Sequence, residues 1–169
     1  MQNIEFKAEL RDRVLAEYLL AKTGAVRVAG LEQTDTYFRI ADGRLKRRQS
    51  ASEPTEWIYY NRDVSSTPKL SQFAIYSEKE ALERFGSRPL PVWLIVNKQR
   101  EIWINGPVRV HLDRVVGLGE FIEIEALVTP KRPIVDCQRA VEALRREMAM
   151  TMGEPISCGY ADLAARNAA

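Results

Sequence analysis

The stretch Val108-Arg109-Val110-His111-Leu112-Asp113, followed by Gly117-Leu118-Gly119 and then Phe121-Ile122-Glu123-Ile124-Glu125, decides the fold. Apolar and charged residues alternate on both sides of a glycine-bearing turn, the pattern of two half-buried strands in a hairpin. Residues two apart on a strand share a face. Arg109, His111 and Asp113 therefore point one way, as do Glu123 and Glu125, while Val108, Val110, Leu112, Ile122 and Ile124 point the other. The start of the chain repeats the pattern in Asn3-Ile4-Glu5-Phe6-Lys7, and basic pairs recur in Leu45-Lys46-Arg47-Arg48 and Asn97-Lys98-Gln99-Arg100. The apolar faces must pack against something. The charged faces either lie in solvent or turn inward to line one polar cavity.

Further elements fall into place around these strands. The sequence predicts a strand over 3–10 and a helix over 11–23, with Val14, Leu15, Tyr18 and Leu19 on one face and Gly24 as the stop. Strands are expected near 26–33, 34–41, 44–50, 56–63 and 71–76, with Asp42-Gly43 as a hairpin turn. Polar loops are expected at Ser50–Thr55 and Ser65–Pro68. Ser77-Glu78-Lys79-Glu80 is a capping box opening a helix that stops at Gly86. Strands resume at 92–99, 101–105, 107–114 and 120–128, with Asn105-Gly106 as another hairpin turn. Asp136 is expected to cap a helix over 137–152 that buries Val141, Leu144, Met148 and Met152, ended by Gly153 and Pro155, and a short helix follows from 160. Many antiparallel strands with few helices give an α+β fold built on a sheet or barrel.

The 169 residues fit one domain, and 46% hydrophobic with 28% charged residues is an ordinary globular composition. A net charge of +2 lacks the basic surplus of a nucleic-acid binder, so no nucleic-acid partner is expected. No apolar run approaches a membrane span, and the N-terminus enters a charged strand directly, so the expected location is cytoplasmic, with no membrane partner. Cys137 and Cys158 form no CxxC pair and have no neighbouring histidine, which argues against a Cys/His zinc site. They are read as reduced, with a disulfide between them left open. There is no GxxxxGK[ST] segment for a P-loop, and Gly117-Leu118-Gly119 lacks the third glycine of a dinucleotide-binding turn. His111, between Arg109 and Asp113, is poorly set to activate a serine.

Two groups of charged residues carry chemistry. Lys7, Arg39, Lys46, Arg48, Arg62, Lys69, Lys98, Arg100 and Arg109 can form a cage for a polyanion, since guanidinium groups grip phosphate oxygens bidentately and lysines supply point charge. Taken singly, each is better read as a solvated side chain guarding a sheet surface, and it is the same-face pairing on several strands that favours the cage. Glu5, Asp113, Glu123 and Glu125 offer the oxygen ligands that Mg²⁺ or Mn²⁺ prefers, or else pair across strands with the basic set. Tyr37 and Tyr60 alternate in step with Arg39 and Arg62 and are read as facing the cavity. Trp57, Tyr59, Trp93 and Trp103 are read as core or barrel-cover aromatics. His111 is read as a hydrogen-bonded polar residue, with a proton shuttle as the alternative.

In order along the chain, these pieces resemble the CYTH superfamily, the triphosphate tunnel metalloenzymes. Glu5-Phe6-Lys7 matches the end of that family's N-terminal ExExK. Asp35-Thr36-Tyr37-Phe38, Gly43 to Arg48, Tyr59-Tyr60-Asn61-Arg62 and Lys98-Gln99-Arg100 continue the match. Val108 to Asp113 through Gly117 to Glu125, with Gly159-Tyr160-Ala161-Asp162-Leu163, look most like the class IV adenylyl cyclase-type branch. The likeness spans about 3–163 and treats 1–169 as a single CYTH-like domain. It implies an antiparallel eight-stranded β-barrel forming a tunnel, with helices packed outside. By the same likeness, Lys7, Arg39, Lys46, Arg48, Arg62, Lys98, Arg100 and Arg109 contact a triphosphate; Glu5, Glu123 and Glu125 bind Mg²⁺ or Mn²⁺; and Lys7, Asp113, Glu123 and Glu125 form the catalytic group. The implied partner is a triphosphate-containing small molecule such as ATP or inorganic triphosphate, and the likeness admits a homodimer. The implied activity is adenylyl cyclase, releasing cyclic AMP and pyrophosphate, or a nucleoside or inorganic triphosphatase. The alternative is a catalytically weak polyphosphate- or nucleotide-binding domain. Asn3 departs from the pattern, placing a neutral amide where the family has a carboxylate. Glu9 has the parity to compensate, if its strand position leaves it in the tunnel.

Overall fold

The computed structural model describes residues 1–62 and 67–169, with Arg62 described at its backbone alone. The last residue of the strand expected at 56–63 and the first half of the loop expected at Ser65–Pro68 lie outside the described residues. The elements run β1 (Gln2–Leu10), α1 (Arg13–Lys22), β2 (Val26–Phe38), β3 (Arg44–Ser50), β4 (Glu53–Arg62), β5 (Lys69–Tyr76), α2 (Glu78–Phe85), β6 (Val92–Asn105), β7 (Val108–Val115), β8 (Gly119–Leu127), α3 (Ile134–Glu147), β9 (Met152–Pro155) and α4 (Tyr160–Asn167).

Antiparallel pairing follows the order β5-β4-β3-β2-β6-β7-β8-β1, and a further antiparallel pairing of β1 with β5 closes these eight strands into a barrel. The edge of β1 is shared. Gln2 to Glu5 pair with β5, and Ala8 to Leu10 pair with β9. Closure removes open sheet edges and leaves the two faces of each strand facing different media.

The apolar faces point outward. Ile4, Phe6 and Ala8 of β1, Val110 and Leu112 of β7, and Ile122 and Ile124 of β8 are buried in one cluster with Cys137, Val141, Leu144 and Met148. α3 therefore covers the side of the barrel formed by β1, β7 and β8. Each large apolar side chain buried there contributes roughly 1.5–3 kcal/mol. With the outside apolar and covered, the charged residues of the same strands turn inward.

Several local expectations change. β2 and β6 are each one long strand rather than two, because the mid-strand polar residues, Gln33 in β2 and Lys98 and Arg100 in β6, face a cavity and mark no break. α1 buries Ala16 and Leu20, while Val14 and Tyr18 are 77% and 55% exposed. Ala16 belongs to the same buried cluster as the strand residues, and its small size is what a search for bulky apolar residues overlooks. α3 starts at Ile134 after Pro133, with no side-chain cap bond, so Asp136 lies in its first turn and favours the positive helix end from there. Met152 leaves the helix and opens β9, a strand that the Gly153 and Pro155 stop signals concealed. The capping box at Ser77 and Glu80 forms as expected. Gly43 is required in its turn, since it has φ +70° and a Cβ there would lie 2.7 Å from the Tyr59 hydroxyl. Both cysteines are free thiols.

Candidate active site

The barrel encloses a cavity of about 590 Å³, a size typical of small-molecule sites. Its walls are rungs of the sheet. On one rung Lys7 lies opposite Glu123, and Glu123 opposite His111. On the next, Glu5 lies opposite Glu125, and Glu125 opposite Arg109. All six line the cavity.

This side gathers metal-ligating groups. Ligand atoms of His111, Glu123 and Glu125 lie within 4.8 Å of one another. Asn3 Nδ2 donates to Glu125 Oε2 at 2.9 Å, and Arg109 Nη1 and His111 Nε2 each lie 3.7 Å from Glu125 Oε1. Lys7 Nζ is 3.5 Å from Glu123 Oε2. Burial, and then the neighbouring Glu123 carboxylate, pushes Glu125 up to about 7. Burial, with the Arg100 charge adding to it, holds His111 well below the usual histidine range, so its imidazole is neutral. Among the described residues, Asn3 Oδ1 and His111 Nδ1 are buried without a hydrogen-bond partner. Crowded carboxylates beside a neutral imidazole are what a cation relieves, so these residues fit a divalent ion.

A second cluster centres on Asp35, which is fully buried. Lys46 Nζ lies 3.0 Å from its Oδ2 and Lys98 Nζ 2.7 Å, while Arg48 donates from Nε to Oδ1 and from Nη2 to Oδ2, both at 2.8 Å. One carboxylate thus faces three cations. Burial alone would raise Asp35, but Lys46, Lys98 and Arg48 together hold it well below the usual carboxylate range. The excess positive charge shows on the lysines. Burial, then Arg48, pushes Lys46 down to about 7, and the same causes hold Lys98 well below the usual lysine range.

Arg100 stands between the clusters. It grips Asp113 bidentately, Nε to Oδ1 at 2.7 Å and Nη2 to Oδ2 at 2.6 Å, and its Nη2 also lies 3.7 Å from Glu123 Oε2. The Tyr160 hydroxyl donates to Asp113 Oδ2 at 2.6 Å. The Tyr160 ring carries Lys7 Nζ at 4.1 Å and Lys98 Nζ at 5.7 Å from its centroid. The start of α4 is therefore part of the cavity wall. Arg44 Nη2 anchors it from outside by a 2.8 Å contact to Asp162.

Lys7, Lys46, Arg48, Lys98, Arg100 and Arg109 all line the cavity, as do Glu5, Glu123, Glu125, Tyr37 and Tyr60. Glu5 lies outside the tight group of His111, Glu123 and Glu125. Asp113 is fully buried and stands behind Arg100 rather than among the lining residues, a position that suits holding Arg100 better than touching a ligand. Arg39 lies beyond the end of β2, is exposed, and is not among the lining residues, because the strand parity that places Tyr37 inside ends at Phe38. The Arg62 side chain lies outside the description. Lys69 Nζ donates to the Ser157 carbonyl at 2.7 Å, bracing the segment before α4. Glu9 accepts from the Glu154 amide at 3.3 Å beside β9 and is not among the lining residues. The sequence reading gave no role to Asp35 or Tyr160. Asp35 shares the inward parity of Gln33 and Tyr37 on β2, which was its available signal. Tyr160 comes from a separate helix, and no periodicity points to it.

A model of the CYTH domain matches residues 1–155. The chain belongs to the CYTH family. No curated protein sequence matches it, but its fold recurs in solved structures. PH1012 protein from Pyrococcus horikoshii OT3 is 20% identical with a TM-score of 0.74, covering 95% of this chain and 98% of its own. A putative adenylate cyclase from Vibrio parahaemolyticus is 13% identical with a TM-score of 0.71, covering 96% and 97%. HpAC1 from Hippeastrum, a putative adenylyl cyclase with a dominant triphosphatase activity, is 14% identical with a TM-score of 0.61, covering 98% and 95%. At these identities the CYTH barrel is what is shared. No helix among the described residues is long and apolar enough to cross a membrane.

Proposed function

We propose that this CYTH protein cleaves a triphosphate-containing small molecule with the help of Mg²⁺ or Mn²⁺. The reading takes residues 1–169 as one domain acting in the cytoplasm. The observation that carries it is the excess of buried positive charge where Lys46, Arg48 and Lys98 share the single carboxylate of Asp35. That excess lines the same cavity as the carboxylates of Glu5, Glu123 and Glu125. A phosphate chain that brings a divalent cation with it is the ligand that satisfies both walls.

Lys46, Arg48, Lys98, Arg100 and Arg109 bind phosphate oxygens. Glu5, Glu123 and Glu125 hold the cation, which when bound acts as a Lewis acid that neutralises charge on the phosphates. Asp113 and Tyr160 keep Arg100 aimed, and the Tyr160 ring with Glu123 positions the Lys7 ammonium toward the reacting phosphate. Glu123 or Glu125 orients the attacking oxygen and accepts its proton as the new P–O bond forms and the bond to the leaving phosphate oxygen breaks. With water attacking, the products are those of a triphosphatase. With the ribose 3′-oxygen of ATP attacking the α-phosphorus, they are cyclic AMP and pyrophosphate.

Product analysis tests this. The protein is incubated with ATP and, separately, with inorganic triphosphate, each with Mg²⁺ or Mn²⁺, and the products are resolved by chromatography. Cation-dependent orthophosphate, or cyclic AMP with pyrophosphate, is the expected outcome and also identifies the nucleophile. Neither substrate being turned over would sink the enzymatic reading in favour of a binding domain.

A further inference from the structure

Resting on the metal-dependent reading above, we propose that the cation site of this chain is a mixed nitrogen–oxygen site, in which His111 ligates alongside Glu123 and Glu125 and the Asn3 amide oxygen contributes, so that it selects a first-row transition dication such as Mn²⁺ over Mg²⁺.

The strand register dictates His111's place. It lies opposite Glu123 on the adjacent strand, and its Nε2 is 3.7 Å from Glu125 Oε1. Its ligand atom belongs to the same 4.8 Å group as those of the two glutamates. His111 is 4% exposed and turns Nε2, not Nδ1, toward Glu125, so Nε2 is the ligand atom and the proton of the neutral ring sits on Nδ1. Asn3 is 7% exposed, and its Oδ1 has no partner among the described residues while its Nδ2 holds Glu125. A buried polar atom left unsatisfied is costly. Rotating the carboxamide by half a turn exchanges its oxygen and nitrogen, so the Asn3 oxygen can replace the nitrogen beside Glu125 when a cation is present.

The donor set then decides the ion. Asn3 and His111 are neutral, so Glu123 and Glu125, with Glu5 opposite Glu125, carry all the negative charge around the ion. Mg²⁺ depends on hard, charged oxygen ligands and near-ideal octahedral geometry, and gains little from an imidazole. First-row transition dications accept imidazole nitrogen readily. Exchange of a carboxylate for Asn3 therefore weakens Mg²⁺ more than it weakens Mn²⁺, because the histidine offsets the loss for the second ion alone.

The test uses the metal alone, without substrate. Mn²⁺ is bound to the whole chain, its affinity is measured by electron paramagnetic resonance with Mg²⁺ as competitor, and pulsed spectroscopy reads ¹⁴N coupling to the bound ion. Expected are a directly bonded ¹⁴N signal in the wild type and its loss in His111→Gln. That substitution should lower Mn²⁺ affinity about tenfold or more, while Mg²⁺ affinity changes little. Asn3→Glu should raise Mg²⁺ affinity. The ¹⁴N signal is read in the wild type, so the test stands even if a variant folds poorly. Mn²⁺ binding that Glu125→Gln abolishes, but that carries no ¹⁴N coupling, overturns the nitrogen ligand and leaves the metal-dependent reading intact. Absence of Mn²⁺ binding in the wild type overturns both.

Discussion

Asp35 meets three cations with two oxygens, and this arrangement has consequences in both directions. Removing the carboxylate charge leaves Lys46, Arg48 and Lys98 buried against one another, and breaking a buried ion cluster costs about 3–5 kcal/mol. Asp35→Asn should therefore lower the unfolding free energy by an amount in that range, read as a lower denaturant midpoint at unchanged slope, and an unchanged midpoint would show that the cluster is not a structural hub. Lys46 shows the other direction. Burial and Arg48 bring it down to about 7 from an ordinary 10.5. Between those two values the unfolded chain keeps the proton that the folded chain has released, so Lys46 makes stability rise with pH across this window and imposes its full penalty below about 7. A phosphate chain beside it restores the proton. Triphosphate binding at pH 8 should accordingly take up protons, and affinity should fall as pH rises above about 7. Calorimetry in two buffers of different ionisation enthalpy measures the uptake, and Lys46→Met should reduce it, leaving the share that Lys98 takes up. Binding without proton uptake in the wild type would mean that Lys46 does not face the phosphates.

At the scale of elements, α4 joins the cavity through one side chain. The Tyr160 hydroxyl donates to an ionised Asp113, which also holds Arg100, and a hydrogen bond to a charged group contributes about 1.5–3 kcal/mol. Tyr160→Phe keeps the ring against Phe121 and removes that bond. It should destabilise the protein by this amount in thermal or denaturant unfolding, and weaken triphosphate binding through a looser Arg100. A variant as stable as the wild type would make the contact incidental. Elements whose two faces meet different media were legible in the sequence, as β1, β7 and β8 show: Glu5, Lys7, His111, Glu123 and Glu125 alternate with buried Ile4, Phe6, Val110, Ile122 and Ile124. Where an element's role depends on a distant partner, legibility failed. β9 forms because the edge of β1 is vacant beyond Glu5, which no property of Met152 to Pro155 announces. The buried face of α1 follows from Ala16, whose value is its small size. His111 was legible as an inward residue, but its approach to Glu123 and Glu125 was not, because those two come from another strand.

For the whole molecule, the inverted barrel sets a charge balance. Basic side chains lining the cavity are met by Glu5, Glu123 and Glu125 in the wall and by Asp35 and Asp113 behind it. Positive charge is in local excess at Asp35 and negative charge at Glu125, and a triphosphate that neutralises the first region is repelled by the second. A dication at the glutamates removes that repulsion, so cation and triphosphate must favour each other's binding, and by the same factor in both directions. Couplings of this kind are typically 5–150-fold. We expect saturating Mn²⁺ to raise the affinity for a non-hydrolysable triphosphate analogue by a factor in that range, measured calorimetrically. The analogue should raise Mn²⁺ affinity equally. Glu125→Gln removes one negative charge from the wall. It should therefore strengthen cation-free binding of the analogue while abolishing both the coupling and cation-dependent turnover. Equal affinity with and without Mn²⁺ would mean that the two walls act on different ligands, and that the cavity is not a single triphosphate site.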